Sequence, residues 1–235
     1  MIHSVSTGEN HLLELLPRAE RNRLLAQVEP KQLRLSAVLC EAHLPMRHVF
    51  FPVEGFLSLV TSVEDHAGLE VGMVGREGML GLQLGLGLSR PPWRAVVQGP
   101  GLVWQLEAPA FRAELLRSTS LRRVLHRYIH VRMAQLAGAA ACLHYHLIGP
   151  RLARWLLMSQ DRAHQPNFNV THEVLALRLG VRRVGVTVAA GALQRAGMIH
   201  YHRGMLTVID RPGLERMACR CYANDRMTYA ELLDR

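Results

Sequence analysis

Arg182 and Arg183 stand side by side, and Thr187 follows one helical turn after Arg183. A planar guanidinium matches both a phosphate and the O6/N7 edge of guanine, and a threonine hydroxyl can bond to phosphate or base. Further along, His202 and Arg203 precede Gly204, which places cationic donors at a turn where a phosphate could be gripped. The chemistry these groups could do is hydrogen bonding to a duplex nucleic acid. The chain has no GxSxG elbow, no phosphate-binding P-loop and no paired-carboxylate arrangement, so it does not read as an enzyme.

Such donors need a rigid support, and the flanking residues supply one. Thr171 is a good N-cap, Glu173 places an anion in the positive first turn, and Val174, Leu175 and Leu179 recur at helical spacing. Gly180 can take the left-handed conformation that ends this helix. After Val181, a second apolar run through Val184, Val188, Ala192 and Leu193 reaches Gly197, which suits the position just past a helix end. Helix, tight turn and helix within this length form the outline of a helix-turn-helix, with Thr171, Arg182, Arg183 and Thr187 as its contact residues. The stretch from His200 to Asp210 places a β-branched run after the Arg203-Gly204 turn and reads as a β-hairpin wing.

Charge is distributed accordingly. The net charge is +9; residues 1–149 carry 15 basic and 12 acidic side chains, residues 150–235 carry 13 and 7. The smaller, C-terminal part therefore holds most of the excess, as expected of a nucleic-acid-binding domain. No long apolar run and no signal-peptide pattern appears, so the sequence reads as cytoplasmic, with no membrane partner. Cys40, Cys142, Cys219 and Cys221 are too few and too scattered for a disulfide framework and read as free thiols. His126 and His130 lie at i, i+4, and His144 and His146 flank Tyr145. Neither pair carries a zinc-protease pattern, so no metal site is expected.

The N-terminal part has another character. Residues 10–29 read as an amphipathic helix broken at Pro17, with Leu12, Leu13, Leu15, Leu16, Leu24 and Leu25 facing inward. From Leu33 to Leu106, segments such as HVFF, GFLSLVTSV, LEVGMV, WRAVVQ and LVWQL alternate with turns, and nine of the 19 glycines fall between Gly68 and Gly101. Many short strands with glycine corners argue for an antiparallel jelly roll. Met73, Met79, Leu82, Leu84 and Trp93 are read as packing within it. Ser118 to Tyr145 contains no proline and one glycine. It predicts a long helix with a heptad-like stripe, Leu121, Val124, Tyr128, Val131, Gln135, Gly138, Cys142 and Tyr145, as a dimer seam. Gly149-Pro150 then breaks the chain. The fold class is α+β, divided as 1–117, 118–149 and 150–235.

A β-roll, a long helix and a winged helix-turn-helix, in that order, resemble the Crp/Fnr family of bacterial transcription regulators. The resemblance rests on HVFFPVEGFLSLV and LEVGMVGREGMLGL in the first domain, RLARWLL at the linker, and THEVLALRLGVRRVGVTVAAGALQRAGMI with the wing in the last. It implies a homodimer through the 118–149 helix that places two recognition helices in successive major grooves of a pseudo-palindromic duplex site, and RNA polymerase as a partner if the protein activates. Arg183 falls where relatives read guanine and Thr187 where some place a serine; Val184 and Val188 replace a glutamate and a second arginine. In the sensor, Gly81-Leu82-Gln83 lacks the family's ribose-binding glutamate, and Trp93-Arg94-Ala95 offsets the phosphate-binding arginine by one residue. Cyclic nucleotide binding of the usual type is therefore not expected, no cofactor is assigned, and the effector is left open. Two alternatives remain: a metal-dependent cupin-like enzyme using His43 and His48, and an effector-free sensor domain that serves as a protein-interaction module.

Overall fold

A computed structural model describes residues 10–63, 66–163 and 167–233. Two helices, α1 (His11–Glu14) and α2 (Arg18–Leu25), lead into seven strands: β1 (Glu29–Leu33), β2 (Val38–Cys40), β3 (His48–Pro52), β4 (Phe56–Val63), β5 (His66–Val74), β6 (Arg94–Gly99) and β7 (Gly101–Glu107). They form two antiparallel sheets, in the orders β1-β7-β3 and β2-β6-β4-β5. The predicted 10–29 helix is two helices parted at Pro17, with Leu12, Leu13, Leu16 and Leu24 buried and Leu15 and Leu25 partly so.

The run HVFF is continuously apolar because β3 is covered on both faces. Phe50 joins Leu33, Leu57, Leu59, Val97 and Val103 between the sheets. Val49 and Phe51 point the other way, into a layer with Leu13, Leu24, Phe111 and Tyr128. Met73, Met79, Leu82 and Leu84 are all buried in the packed interior, as their sequence reading has it, while Trp93 is only partly covered. Arg94 lies outside, ion-paired to Glu41 at 3.2 Å.

Helix α3 (Ala108–Arg117) leads into α4 (Thr119–Tyr145), capped by the Ser118 hydroxyl, which accepts from the Leu121 amide at 2.9 Å. The phase of α4 differs from expectation. Leu121, Val124, Tyr128, Val131 and Cys142 are buried within the chain, whereas His126, His130, Met133, Ala137, Ala140 and His144 are exposed. These six residues step by four and three, a heptad stripe displaced by two positions from the expected seam, of which Gln135 and Gly138 are only partly buried and Tyr145 is exposed. The inward stripe is taken by the protein's own core and, at its far end, by α9 (Cys221–Leu233), which runs back along α4 and buries Leu233 beside the N-terminal helices.

After the break at His146 and Leu147, α5 (Ile148–Ala163) begins the basic part, followed by β8 (Asn167–Asn169), α6 (His172–Leu179), α7 (Arg183–Arg195), β9 (Ile199–His202), β10 (Met205–Val208) and α8 (Arg211–Met217). Leu152, Leu156, Leu175, Val186, Leu193, Leu206 and Leu214 make its core, which continues into the β-roll through Phe56 and Met73. Polar contacts cross the same junction. Trp155 Nε1 donates to Glu70 Oε1 at 2.9 Å, the Ser58 hydroxyl donates to Glu70 Oε2, and Arg162 Nε donates to Glu77 Oε1 at 2.8 Å. Among the described residues no helix is long and apolar enough to cross a membrane.

Candidate nucleic-acid interface

Thr171 caps α6, its hydroxyl accepting from the Val174 amide at 3.2 Å. Gly180 ends that helix at φ 61°, ψ 42°, a left-handed conformation that glycine takes at no steric cost. Glu173 sits in the first turn. The helix-turn-helix is thus built from the signals its sequence carries.

Helix α7 divides cleanly into two faces. Val186, Ala189, Ala190 and Leu193 are buried; Arg182, Arg183, Val184, Thr187, Val188 and Ala192 are exposed, Val184 at 72% and Val188 at 65%. This corrects the expectation that Val184, Val188 and Ala192 belong to the inward stripe. Leu193 and the small Ala189 and Ala190 set the phase, because they let α7 approach α5 and α6 closely. The outer face therefore carries two guanidiniums, a hydroxyl and two bare valines, a mixture that can read both hydrogen-bonding edges and the methyl of thymine. Arg182 is the N-cap residue with no side-chain capping bond, so its guanidinium is not spent on the helix end.

Thr187 is held in place. Its hydroxyl donates to the Arg183 carbonyl at 3.1 Å and lies 3.0 Å from His172 Nδ1. The His172 ring stacks on Tyr201, with centroids 4.5 Å apart, and the Tyr201 hydroxyl donates to the Val170 carbonyl at 2.8 Å. Burial, and then the charge of Arg183, hold the His172 imidazole below its ordinary pKa. Sequence reasoning missed His172 and Tyr201, because they act by steadying Thr187 from a neighbouring helix and strand.

The wing is present as β9 and β10, with β8 as an additional strand in the order β8-β10-β9. Arg203 and Gly204 form its tip at φ 48° and 83°, the double positive φ of a type I′ turn. Both His202 and Arg203 are exposed there. Arginine carries a Cβ that resists this conformation, so Arg203→Asn, which creates the favoured Asn-Gly pair, should stabilise the fold by about 0.5 to 1 kcal/mol. Loss of a phosphate contact should at the same time weaken DNA binding on all sequences and flatten its salt dependence. Paired chemical denaturation and binding titrations check the two signs, and unchanged binding would remove Arg203 from the interface.

The other histidine readings resolve simply. His126 and His130 are exposed on α4; His43 is exposed in a turn, and His48 packs near Phe50 on β3. His43 and His48 do not meet further ligands, so the cupin-like site is not formed among the described residues. Among the described residues one cluster does form, away from α7: Cys142, His146, Cys219 and Cys221 converge where α4 ends and α8 passes into α9. Three of the four cysteines that read as scattered free thiols are therefore brought together with a histidine by the fold, while Cys40 stays in the β-roll core.

Residues 150–217 match the family model of the Crp-like helix-turn-helix domain. No curated protein matches the chain. Among solved structures, FixK2 from Bradyrhizobium japonicum superposes with a TM-score of 0.69 at 14% identity, covering 82% of this chain and 98% of that one. A Crp-family transcriptional regulator from Thermus thermophilus gives a TM-score of 0.67 at 20% identity, over 80% of this chain and 96% of that one. The c-di-GMP responsive global regulator CLP of Xanthomonas campestris gives 0.65 at 14% identity, over 82% and 99%. At these identities the shared property is the fold.

Proposed function

We propose that this chain, whose residues 150–217 match the Crp-like helix-turn-helix domain, is a Crp/Fnr-family regulator that reads a pseudo-palindromic DNA site as a homodimer and regulates transcription from it. The observation that carries this reading is the outer face of α7, where Arg182, Arg183 and Thr187 stand exposed above a fully packed inner face. Arg183 reads guanine, Thr187 a neighbouring base or phosphate, and Val184 and Val188 thymine methyls; Arg182 and Thr171 grip the backbone, as do His202 and Arg203 from the wing. Arg94, turned outward onto Glu41, supports a sensor that does not take a cyclic nucleotide in the usual way.

Dimerisation is assigned to the exposed stripe of α4. Met133, Ala137, Ala140 and His144 leave an apolar, small-residue seam on which a second α4 can approach closely. Ala140→Glu should shift the mass measured by light scattering from twice the 26.4 kDa of one chain to that of one chain. An unaltered dimer would move the interface elsewhere.

The test of function is selection of binding sites from random duplex DNA, repeated across a salt series. A two-fold symmetric motif with half-sites about one helical turn apart is the expected result. Recovery of no motif, with only salt-sensitive binding, would argue against sequence reading by α7.

A further inference from the structure

Cys142 and His146 lie one turn apart at the end of α4, with His146 as its C-terminal cap; Cys219 and Cys221 straddle the short link from α8 to α9. The Sγ atoms of Cys142 and Cys219 are 3.6 Å apart, the Cys221 Sγ is 3.7 Å from His146 Nδ1, and all four donor atoms lie within 4.8 Å of one another. A tetrahedral zinc ion with bonds of about 2.3 Å to sulfur and 2.0 to 2.1 Å to nitrogen spaces its ligands about 3.5 to 3.8 Å apart. The 3.6 and 3.7 Å separations match that spacing, and the widest pairs would draw in by about 1 Å to share one ion. The Cys142–Cys219 separation alone is that of a thiol contact; what singles out the cluster is a third sulfur and a histidine nitrogen in the same small volume.

We propose that Cys142, His146, Cys219 and Cys221 form a Cys3His site for a single zinc-type divalent ion, stapling the C-terminal helix to the end of the long helix. Three thiolates and a neutral imidazole match the preference of zinc for soft sulfur with nitrogen, and four protein ligands leave no open position, which makes the site structural. Zinc displaces the thiol protons to solvent as it binds. The complex would carry one net negative charge, and Arg151 and Arg154, which line the same cavity as Cys142, supply the compensating charge. Arg154 is itself anchored from α9 by Asp225 at 2.6 Å. Cys142 and Cys219 are buried, whereas His146 and Cys221 are partly exposed, so an ion has a way in from solvent.

The position matters. His146 lies two residues before α5, and the Cys219 amide donates to the Pro150 carbonyl at 3.4 Å, so the ion would tie both chain crossings between the β-roll side and the helix-turn-helix domain. Occupancy would set how firmly that domain is held. This site stands on its own geometry and not on the DNA-binding role.

The experiment uses the full chain, stripped of metal by a chelator under reducing conditions and titrated with zinc and with cobalt. One equivalent per chain is expected, with the visible bands of tetrahedral cobalt and charge-transfer absorption from thiolates, and a higher melting temperature on zinc addition. Cys221→Ser and His146→Asn should each weaken zinc binding by more than about 100-fold, since even the outer partners of zinc sites are worth about 10- to 100-fold. Because the stripped wild-type chain is compared with itself, a variant that fails to fold does not decide the outcome. Substoichiometric zinc, octahedral cobalt spectra, or a Cys142–Cys219 disulfide in place of bound metal would overturn the proposal.

Discussion

Arg183→Ala should cost the dimer about 2 to 6 kcal/mol on its selected DNA site, because a bidentate guanine contact is worth about 1 to 3 kcal/mol and each half-site holds one. The loss should appear as relaxed preference at one base pair in each half-site, with the rest of the motif unchanged. The fold should be little affected, since the Arg183 side chain is exposed and its carbonyl still accepts from Thr187. Arg182→Ala makes the contrast. Losing a phosphate contact should weaken all sequences alike and lower the salt slope by about one unit per contact removed. Equilibrium titrations against a panel of single-base variants separate the two behaviours, and an equal loss from Arg183→Ala on random DNA would assign that residue to the backbone.

The second large effect concerns Glu70, which joins the β-roll to the DNA-facing domain. Its carboxylate is buried between Ser58 and Trp155, with Arg178 Nε at 3.9 Å. Burial pushes its pKa up, against the opposing pull of Ser58, Arg178 and Trp155. The folded state therefore favours the protonated acid. Its contribution to stability is complete below the ordinary carboxylate pKa and is lost as pH rises through the raised one. Glu70→Gln keeps an acceptor for the indole, turns the Ser58 contact around so that the amide donates to the hydroxyl, and removes the charge. It should melt higher than the parent at neutral pH and show a flatter pH dependence. Glu70→Ala instead strands the indole N–H and the Ser58 hydroxyl, and should cost about 1 to 3 kcal/mol for each buried donor left unsatisfied. Urea unfolding from acid to neutral pH measures both. A Gln variant less stable than the parent at neutral pH would mean that attraction to Arg178 outweighs burial.

What could be read from the sequence was local. The cap at Thr171, the turn at Gly180 and the hairpin at Arg203-Gly204 each depend on residues within a few positions, and all three form as read. Strand β1 was harder to see. EPKQL buries only Leu33 and joins the edge of its sheet with its other side chains in solvent, so it carries no apolar alternation. The phase of α4 was hidden because its outer stripe also carries apolar or small residues, Met133, Ala137 and Ala140, and the stripe that turns inward is chosen partly by α9, far along the chain. In α7 the valines misled for a related reason, since apolar residues at helical spacing read as an inward stripe whereas Val184 and Val188 stand exposed. The Cys142–Cys219 approach joins residues 77 positions apart, and no spacing rule reaches that far.

The return of α9 also bears on how the chain acquires its structure during synthesis. Leu233, at 1% exposure, completes the layer formed by Leu13, Leu24, Phe111 and Tyr128, with Tyr229 and Leu232 packed against it. A nascent β-roll emerging from the ribosome would lack this last piece until the DNA-facing domain had been translated. The N-terminal domain is thus made first but closed last, with an apolar patch open to chaperones in the interval.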